Sequence, residues 1–307
     1  MMSWRASPLV LCALALLSIV SARPARAQQM DPRSYANVPI EQNFLLVGFG
    51  HSQGGVLLDP SVPVDNVSAK IETVLVGYLR TLDFWGQSGT IGLVVPYASV
   101  YATGQVGGDS ASVTRAGLGD PAFRITANLY GAPALSLEEF PSYKQDLIVG
   151  ASLLVTAPLG QYDSSKIVNI GTNRWSVKPE LGLSQALGKW TLEGAAGVTF
   201  FSENDEYLGA NTRHQDPLYA VQGHAIYNFS RRLWVALDGT YYIGGRSSIN
   251  GGERNDLQQN SRVGATASWV LNSTNSLKFY FSSGATSRAG TDFHTVGLAW
   301  QYRWSDR

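Results

Sequence analysis

The chain has 307 residues, 23 basic and 23 acidic side chains, 44% hydrophobic and 11% aromatic residues, and one cysteine. A lone cysteine excludes a disulfide framework and a zinc–thiolate cluster, and the balanced charge argues against a nucleic-acid partner. Past the N-terminus no apolar segment is long enough for a transmembrane helix.

In chain order, Arg5, the short apolar run Pro8 to Val20 and Ala25-Arg26-Ala27 read as a secretory signal over residues 1–27, with the mature chain starting at Gln28. Cleavage would remove Cys12 together with Arg5, Arg23 and Arg26, leaving 23 − 3 = 20 basic against 23 acidic residues. Residues 28–42 are polar and show no strand period. They are expected to form a periplasmic N-terminal segment and a candidate plug.

From Asn43 onward there are twelve strand-like segments and no convincing helix. Trp190 to Phe201 is among the clearest, with Trp190, Leu192, Ala196, Val198 and Phe200 alternating against Thr191, Glu193, Ala195 and Thr199. Arg174 to Ser184, Leu233 to Tyr242, Arg262 to Leu271 and Leu277 to Phe281 follow the same rule, whereas Glu72 to Arg80 carries large apolar groups on both faces. The connectors alternate in length. Gly86 to Gly89, Gly188-Lys189, Ser230-Arg231 and Asn272 to Asn275 read as tight turns. Gly55 to Ala69, Gly104 to Gly117, Leu159 to Asn173, Glu203 to Gln215 and Gly245 to Asn260 read as long polar loops. Gly131 to Gln145 breaks the rule, being long where a turn is due, and its Ser136 to Glu139 could start a short helix.

Long amphipathic strands, an even strand count and alternating connectors are the pattern of an outer-membrane barrel, with short periplasmic turns, long external loops and both termini in the periplasm. A soluble sandwich has strands of about five or six residues and no such alternation. The expected fold is therefore all-β: a closed antiparallel transmembrane β-barrel of about twelve strands over residues 43–307, because lipid cannot satisfy an open sheet edge.

By alternation, Arg124, Arg174, Lys178, Glu180, Glu193, His224, Asp238, Arg262, Lys278 and Arg303 are the candidate lumen-lining charges. They would either pair with one another to stiffen the wall or line a selective pore. Gly50-His51-Ser52-Gln53-Gly54 fits the G-x-S-x-G nucleophile elbow, so a lipase or esterase using Ser52 is the alternative reading. That chemistry needs a strand-to-helix turn at the serine, and Pro60 and Pro63 leave no room for a helix. The acidic run Glu203, Asn204, Asp205 and Glu206 lacks EF-hand spacing, so neither a metal nor a cofactor is implied.

The last strand puts Val296, Leu298, Trp300, Tyr302 and Trp304 on one face and Thr295, Gly297, Ala299, Gln301 and Arg303 on the other. The spacing of Thr295, Gly297, Trp300 and Tyr302, closed by Trp304, is that of a terminal signal for the barrel-insertion machinery, though here Ser305-Asp306-Arg307 follow it. This strand should pair with the one from Asn43 to close the ring.

The sequence resembles the outer-membrane transporter family named for the meta-pathway of phenol degradation. The resemblance is carried by Asn43 to Gly48, Gly117-Leu118-Gly119-Asp120-Pro121, Gly131 to Leu135, Pro158 to Tyr162, Gly171 to Trp175, Gln215 to Tyr219, Asp256 to Asn260 and Trp300 to Trp304. It implies a β-barrel that passes small hydrophobic or aromatic compounds across the outer membrane, so that solute joins the outer-membrane lipid and the insertion machinery, expected from the strands themselves, as partners. It brings no active-site residues.

Overall fold

Alternating large apolar with small or polar side chains favours an extended backbone, because only there do successive side chains point to opposite faces. The computed structural model describes residues 31–57, 64–106 and 108–305, so the expected signal peptide and its cleavage site lie outside the described residues. The first eight strands are β1 (Gln42–Leu57), β2 (Val64–Phe84), β3 (Gln87–Val106), β4 (Asp109–Leu118), β5 (Ala122–Tyr130), β6 (Leu147–Thr156), β7 (Ser176–Leu187) and β8 (Trp190–Phe201). Short strands β9 (Asn204–Tyr207) and β10 (Asn211–Gln215) precede β11 (Leu218–Asn228) and β12 (Leu233–Gly244). Short β13 (Ser247–Ile249) and β14 (Gly252–Glu253) are followed by β15 (Gln258–Val270), β16 (Asn275–Thr286) and β17 (Gly290–Ser305).

Thirteen of these form one closed antiparallel sheet. β1 pairs with β17 from Gln42↔Ser305 to Leu57↔Gly290 and with β2 on its other edge, and β2 pairs with β3. β4 and β5 pair with successive stretches of β3 and are two halves of one wall strand, interrupted at 119–121. Counted so, the thirteen strands make the expected twelve-stranded barrel. Closure removes the free edges that lipid could not satisfy. Among the described residues no helix is long and apolar enough to cross a membrane.

One end of the barrel, the turn end, carries Gln42 and Ser305, where β1 begins and β17 ends, and the short connectors. The other, the loop end, departs from expectation in three places. Gly104 to Gly117 is a hairpin that prolongs β3 into β4 through a tight turn at Gly108 (φ +93°). Glu203 to Gln215 folds as the β9–β10 hairpin, and Gly245 to Asn260 contains β13 and β14. The last four strands join in a second sheet, in the order β14-β13-β10-β9. Backbone ladders form here without an apolar face, so side-chain alternation gives no sign of them. The helix expected at Ser136 shrinks to a single 3-10 turn, Phe140–Ser142. Its capping box does form: the Ser136 hydroxyl and N–H donate to Glu139 Oε2, and the Glu139 N–H donates back to Ser136 Oγ.

The outward face is the apolar one. Leu181, Val221 and Leu237 are exposed in mid-strand, while Ser184, Thr191 and Thr266 are buried on the inner face. At the turn end Trp300, Tyr302 and Trp304 stack with ring centroids 6.1 and 5.7 Å apart, and Tyr78 approaches Trp304 at 6.2 Å, forming an aromatic girdle. Leu237 is 67% exposed yet apolar, so its solvent is hydrocarbon. Leu237→Arg should destabilise the barrel by about 2–4 kcal/mol in a bilayer, measured as the shift of the urea midpoint in lipid vesicles. A neutral effect would mean that this face does not meet lipid.

Candidate functional site

The site is the lumen, and the segment leading into β1 occupies it. Asp31 bridges two walls, with the Lys278 Nζ 3.1 Å from Oδ1 and Arg124 Nη1 3.3 Å from Oδ2. The Arg33 N–H donates to Glu193 Oε2 at 2.6 Å, its guanidinium donates to Asn228 Oδ1, and its Cζ lies 5.0 Å from the Trp234 ring centroid. The buried Tyr35 hydroxyl donates to Glu180 Oε1 at 2.9 Å. Its ring lies over Gly150 and Gly182, where an added Cβ would come within 2.4 and 2.0 Å of ring carbons. Paired glycines on β6 and β7 thus make the room that this tyrosine takes. Farther out, the Ile40 N–H donates to Leu135 O at 2.9 Å and Asn37 Nδ2 to Pro133 O at 3.2 Å. The 131–145 connector, the long one among short turns, is therefore the floor against which the segment lies.

Glu180 is the hub. Only 5% exposed, it also accepts from Arg124 at 3.3 Å and Gln222 Nε2 at 3.2 Å, and Lys178 Nζ lies 2.7 Å from Oε2. A second group lies along neighbouring strands. Ser184 Oγ donates to Glu193 Oε1 at 2.9 Å, His224 Nδ1 meets Asp238 Oδ1 at 2.7 Å, and Thr266 Oγ1 donates to Asp238 Oδ2 at 2.7 Å. The register explains the row, since His224 stands opposite both Glu193 and Asp238. Arg262, the largest fully buried side chain, donates to Ser282 Oγ, Phe293 O and Thr295 Oγ1. A cavity of about 170 Å³ remains, lined by Asp31, Arg124, Lys178 and Glu180 together with Leu154, Leu218 and Tyr242.

Two of the expected lumen charges lie at the rims. Arg174 precedes β7 by two residues; its Nη2 donates to Gln215 Oε1 at 2.6 Å, and its Cζ lies 4.4 Å from the Phe201 ring centroid. Arg303 reaches across the turn end to donate to Ser273 O at 2.6 Å. Asp31, Arg33, Tyr35 and Gln222 belong to the site although alternation did not single them out. Gln222 was within reach of that reasoning, because it has the same parity on β11 as His224. The N-terminal three were not, since their partners are more than ninety positions away.

The nucleophile-elbow reading of Ser52 does not survive the geometry. Ser52 sits within β1, which continues to Leu57 as strand, and its hydroxyl bonds Thr295 Oγ1 at 2.9 Å. His51 faces the opposite way and pairs with Glu72 at 2.6 Å. Within the acidic run Asn204 holds the loop end through Asn173 and Tyr162, and Glu203 Oε1 lies 3.7 Å from His214 Nδ1. Among the described residues no three histidine, cysteine or acidic side chains are placed to hold a metal ion.

A closed barrel with a polar, charge-lined lumen can be compared with known proteins. Residues 49–302 match the family described as "Putative MetA-pathway of phenol degradation". The chain belongs to this family. No curated protein matches it. Among solved structures, an outer-membrane channel from Pseudomonas putida F1 is similar at TM-score 0.77 and 19% identity, over 90% of this chain and all of that one. The transport unit of the autotransporter AIDA-I from Escherichia coli is similar at TM-score 0.50 and 8% identity, over 89% of this chain and 93% of that one. This phenol-degradation family member accordingly shares the closed β-barrel fold of these proteins.

Proposed function

We propose that the barrel is a passive channel for small hydrophobic or aromatic solutes, that its turn end faces the periplasm, and that residues 28–42 plug it. The observation that carries this reading is the stretch from Asp31 to β1, which lies in the lumen and is held there by side-chain hydrogen bonds and ion pairs more than by the sheet. The family's association with phenol degradation and the likeness to an outer-membrane channel support it. The lumen charges then have two roles. Lys178, Glu180, Glu193, His224, Asp238 and Arg262 stiffen the wall, and Arg124 and Lys278 hold the plug. Thr295, Gly297, Trp300, Tyr302 and Trp304 serve as the insertion signal, with lipid and the barrel-insertion machinery as partners. The test is uptake of radiolabelled toluene by cells expressing the full chain, compared with cells carrying empty vector. Equal rates would reject the channel.

As a non-enzyme, the protein should lose nothing catalytic on Ser52→Ala. A chromogenic ester would be hydrolysed at background rate by both forms, and the lost hydroxyl pair would cost about 1 kcal/mol of stability. Ester hydrolysis by the parent that vanishes in the variant would restore the esterase reading.

The plug should also respond to acid. Burial pushes the Asp31 carboxyl up, but Lys278 and Arg124 beside it outweigh burial and hold it at about 2, below its ordinary 3.8. A depressed folded-state value stabilises docking at every pH above the free value. That stabilisation is lost as pH falls from about 4 through 2. Protease cleavage of the segment in the folded barrel should therefore set in as pH falls through that window, and Asp31→Asn should make it cleavable at neutral pH.

A further inference from the structure

The cavity of about 170 Å³ beside Asp31 lies on the loop-end side of the segment that occupies the lumen. Leu154, Lys178, Thr199 and Tyr242 line it, each two residues from the loop end of its strand, and Leu218 begins β11. One inward-facing position deeper stand Ser152 and Glu180, where the Tyr35 hydroxyl donates to Glu180. The segment is thus the floor of the cavity. A molecule arriving from the loop end meets this space before it meets the segment.

The lining divides by chemistry. Leu154, Leu218, Ala220 and Tyr242 supply an apolar part. An apolar cavity of about 150 Å³ holds one benzene ring, so this space takes a ring-sized body and little more. The charged part is out of balance. Asp31 and Glu180 serve three cations between them, with Lys278 and Arg124 at Asp31 and Arg124 and Lys178 at Glu180. The buried Arg124 Nε has no acceptor among the described residues. The Lys178 ammonium has three donors to place and meets Glu180 with one of them.

A neutral guest leaves the surplus positive charge uncompensated, and a cation adds to it. A monoanion completes the balance, and a carboxylate is the anion that these cations already hold at Asp31 and Glu180. We propose that the cavity binds a small aromatic monocarboxylate of benzoate size, with its ring against Leu154, Leu218 and Tyr242 and its carboxylate on Arg124 and Lys178. The bound charge stands beside the Asp31 carboxylate and draws on the same cations. Binding therefore loosens the segment and opens the lumen from the loop end. The inference rests on the plugged-channel reading and names the class of solute that releases the plug.

The test uses the full-chain barrel in detergent, benzoate as the probe, and trypsin cleavage after Arg33, read as the chain that begins at Ser34. At pH 7 benzoate should speed this cleavage roughly tenfold, an ordinary size for coupling between two groups that bind one protein. Toluene has the ring without the charge, acetate the charge without the ring, and sodium chloride at equal ionic strength only screens. None of the three should match benzoate. Coupling is reciprocal, so calorimetry should show Asp31→Asn binding benzoate roughly tenfold more tightly than the parent does. Leu218→Trp, which fills the cavity, should migrate as a folded barrel and be cleaved at one rate with or without benzoate; Ala220→Leu replaces it if it does not fold. Benzoate that speeds cleavage no more than acetate or chloride, or that binds Asp31→Asn no more tightly than the parent, would overturn the site. In that event cleavage of Asp31→Asn at neutral pH leaves the plug standing, and resistance of that variant removes the plug as well.

Discussion

Replacing Glu180 with leucine is expected to cost about 3–5 kcal/mol, the largest stability loss of any single lumen substitution. A buried charge network is weak grounds for stability as a whole, but removing one partner leaves the others charged and unpaired in a confined space. Glu180 accepts from Tyr35, Arg124 and Gln222 and lies 2.7 Å from Lys178 Nζ, so its loss strands Lys178 and a phenol and leaves Arg124 with Asp31 as its carboxylate partner. Glu180→Gln keeps the shape and an acceptor for Tyr35 and should fall between the two. Urea unfolding in lipid vesicles measures the difference. A leucine variant within about 1 kcal/mol of the parent would mean that water already screens these charges.

Deleting residues 31–40, with the start of β1 intact, should turn a blocked lumen into an open pore. A barrel of this size lies between side-chain-filled eight-stranded barrels and open porins, so little but the segment stands in the way. Single-channel conductance in planar bilayers is expected to rise by at least about an order of magnitude, and a smaller, steadier rise should follow Gly182→Val, which denies Tyr35 its seat. Unchanged conductance in the deletion would show that the wall side chains close the lumen by themselves.

The sequence made the wall legible because lipid on one side and water on the other impose the same two-residue period everywhere. Trp190–Phe201 and the β1–β17 closure follow from it directly. What escaped had no such asymmetry. The β9–β10 and β13–β14 hairpins stand beyond the lipid, so both faces are polar and their strands read as loop. The reach of β3 and β4 past Gly104 was hidden for the same reason. The candidate site was half legible. Parity picked out Glu180, Glu193, His224, Asp238 and Arg262, but Arg174 lies just short of its strand and Arg303 turns away to Ser273. Asp31, Arg33 and Tyr35 carry no local sign of their partners, because tertiary contact alone puts them there.

The β1–β17 pairing joins residues 42 and 305, so the ring cannot be sealed until the whole chain has been delivered. The obstructing segment is continuous with β1, one of the two sealing strands. Assembly must therefore enclose the segment in the same event that completes the wall, or thread it in afterwards from an end. Enclosure would make the closed state a product of biogenesis: every copy would leave the insertion machinery already shut, and no newly made barrel would breach the permeability barrier of the cell.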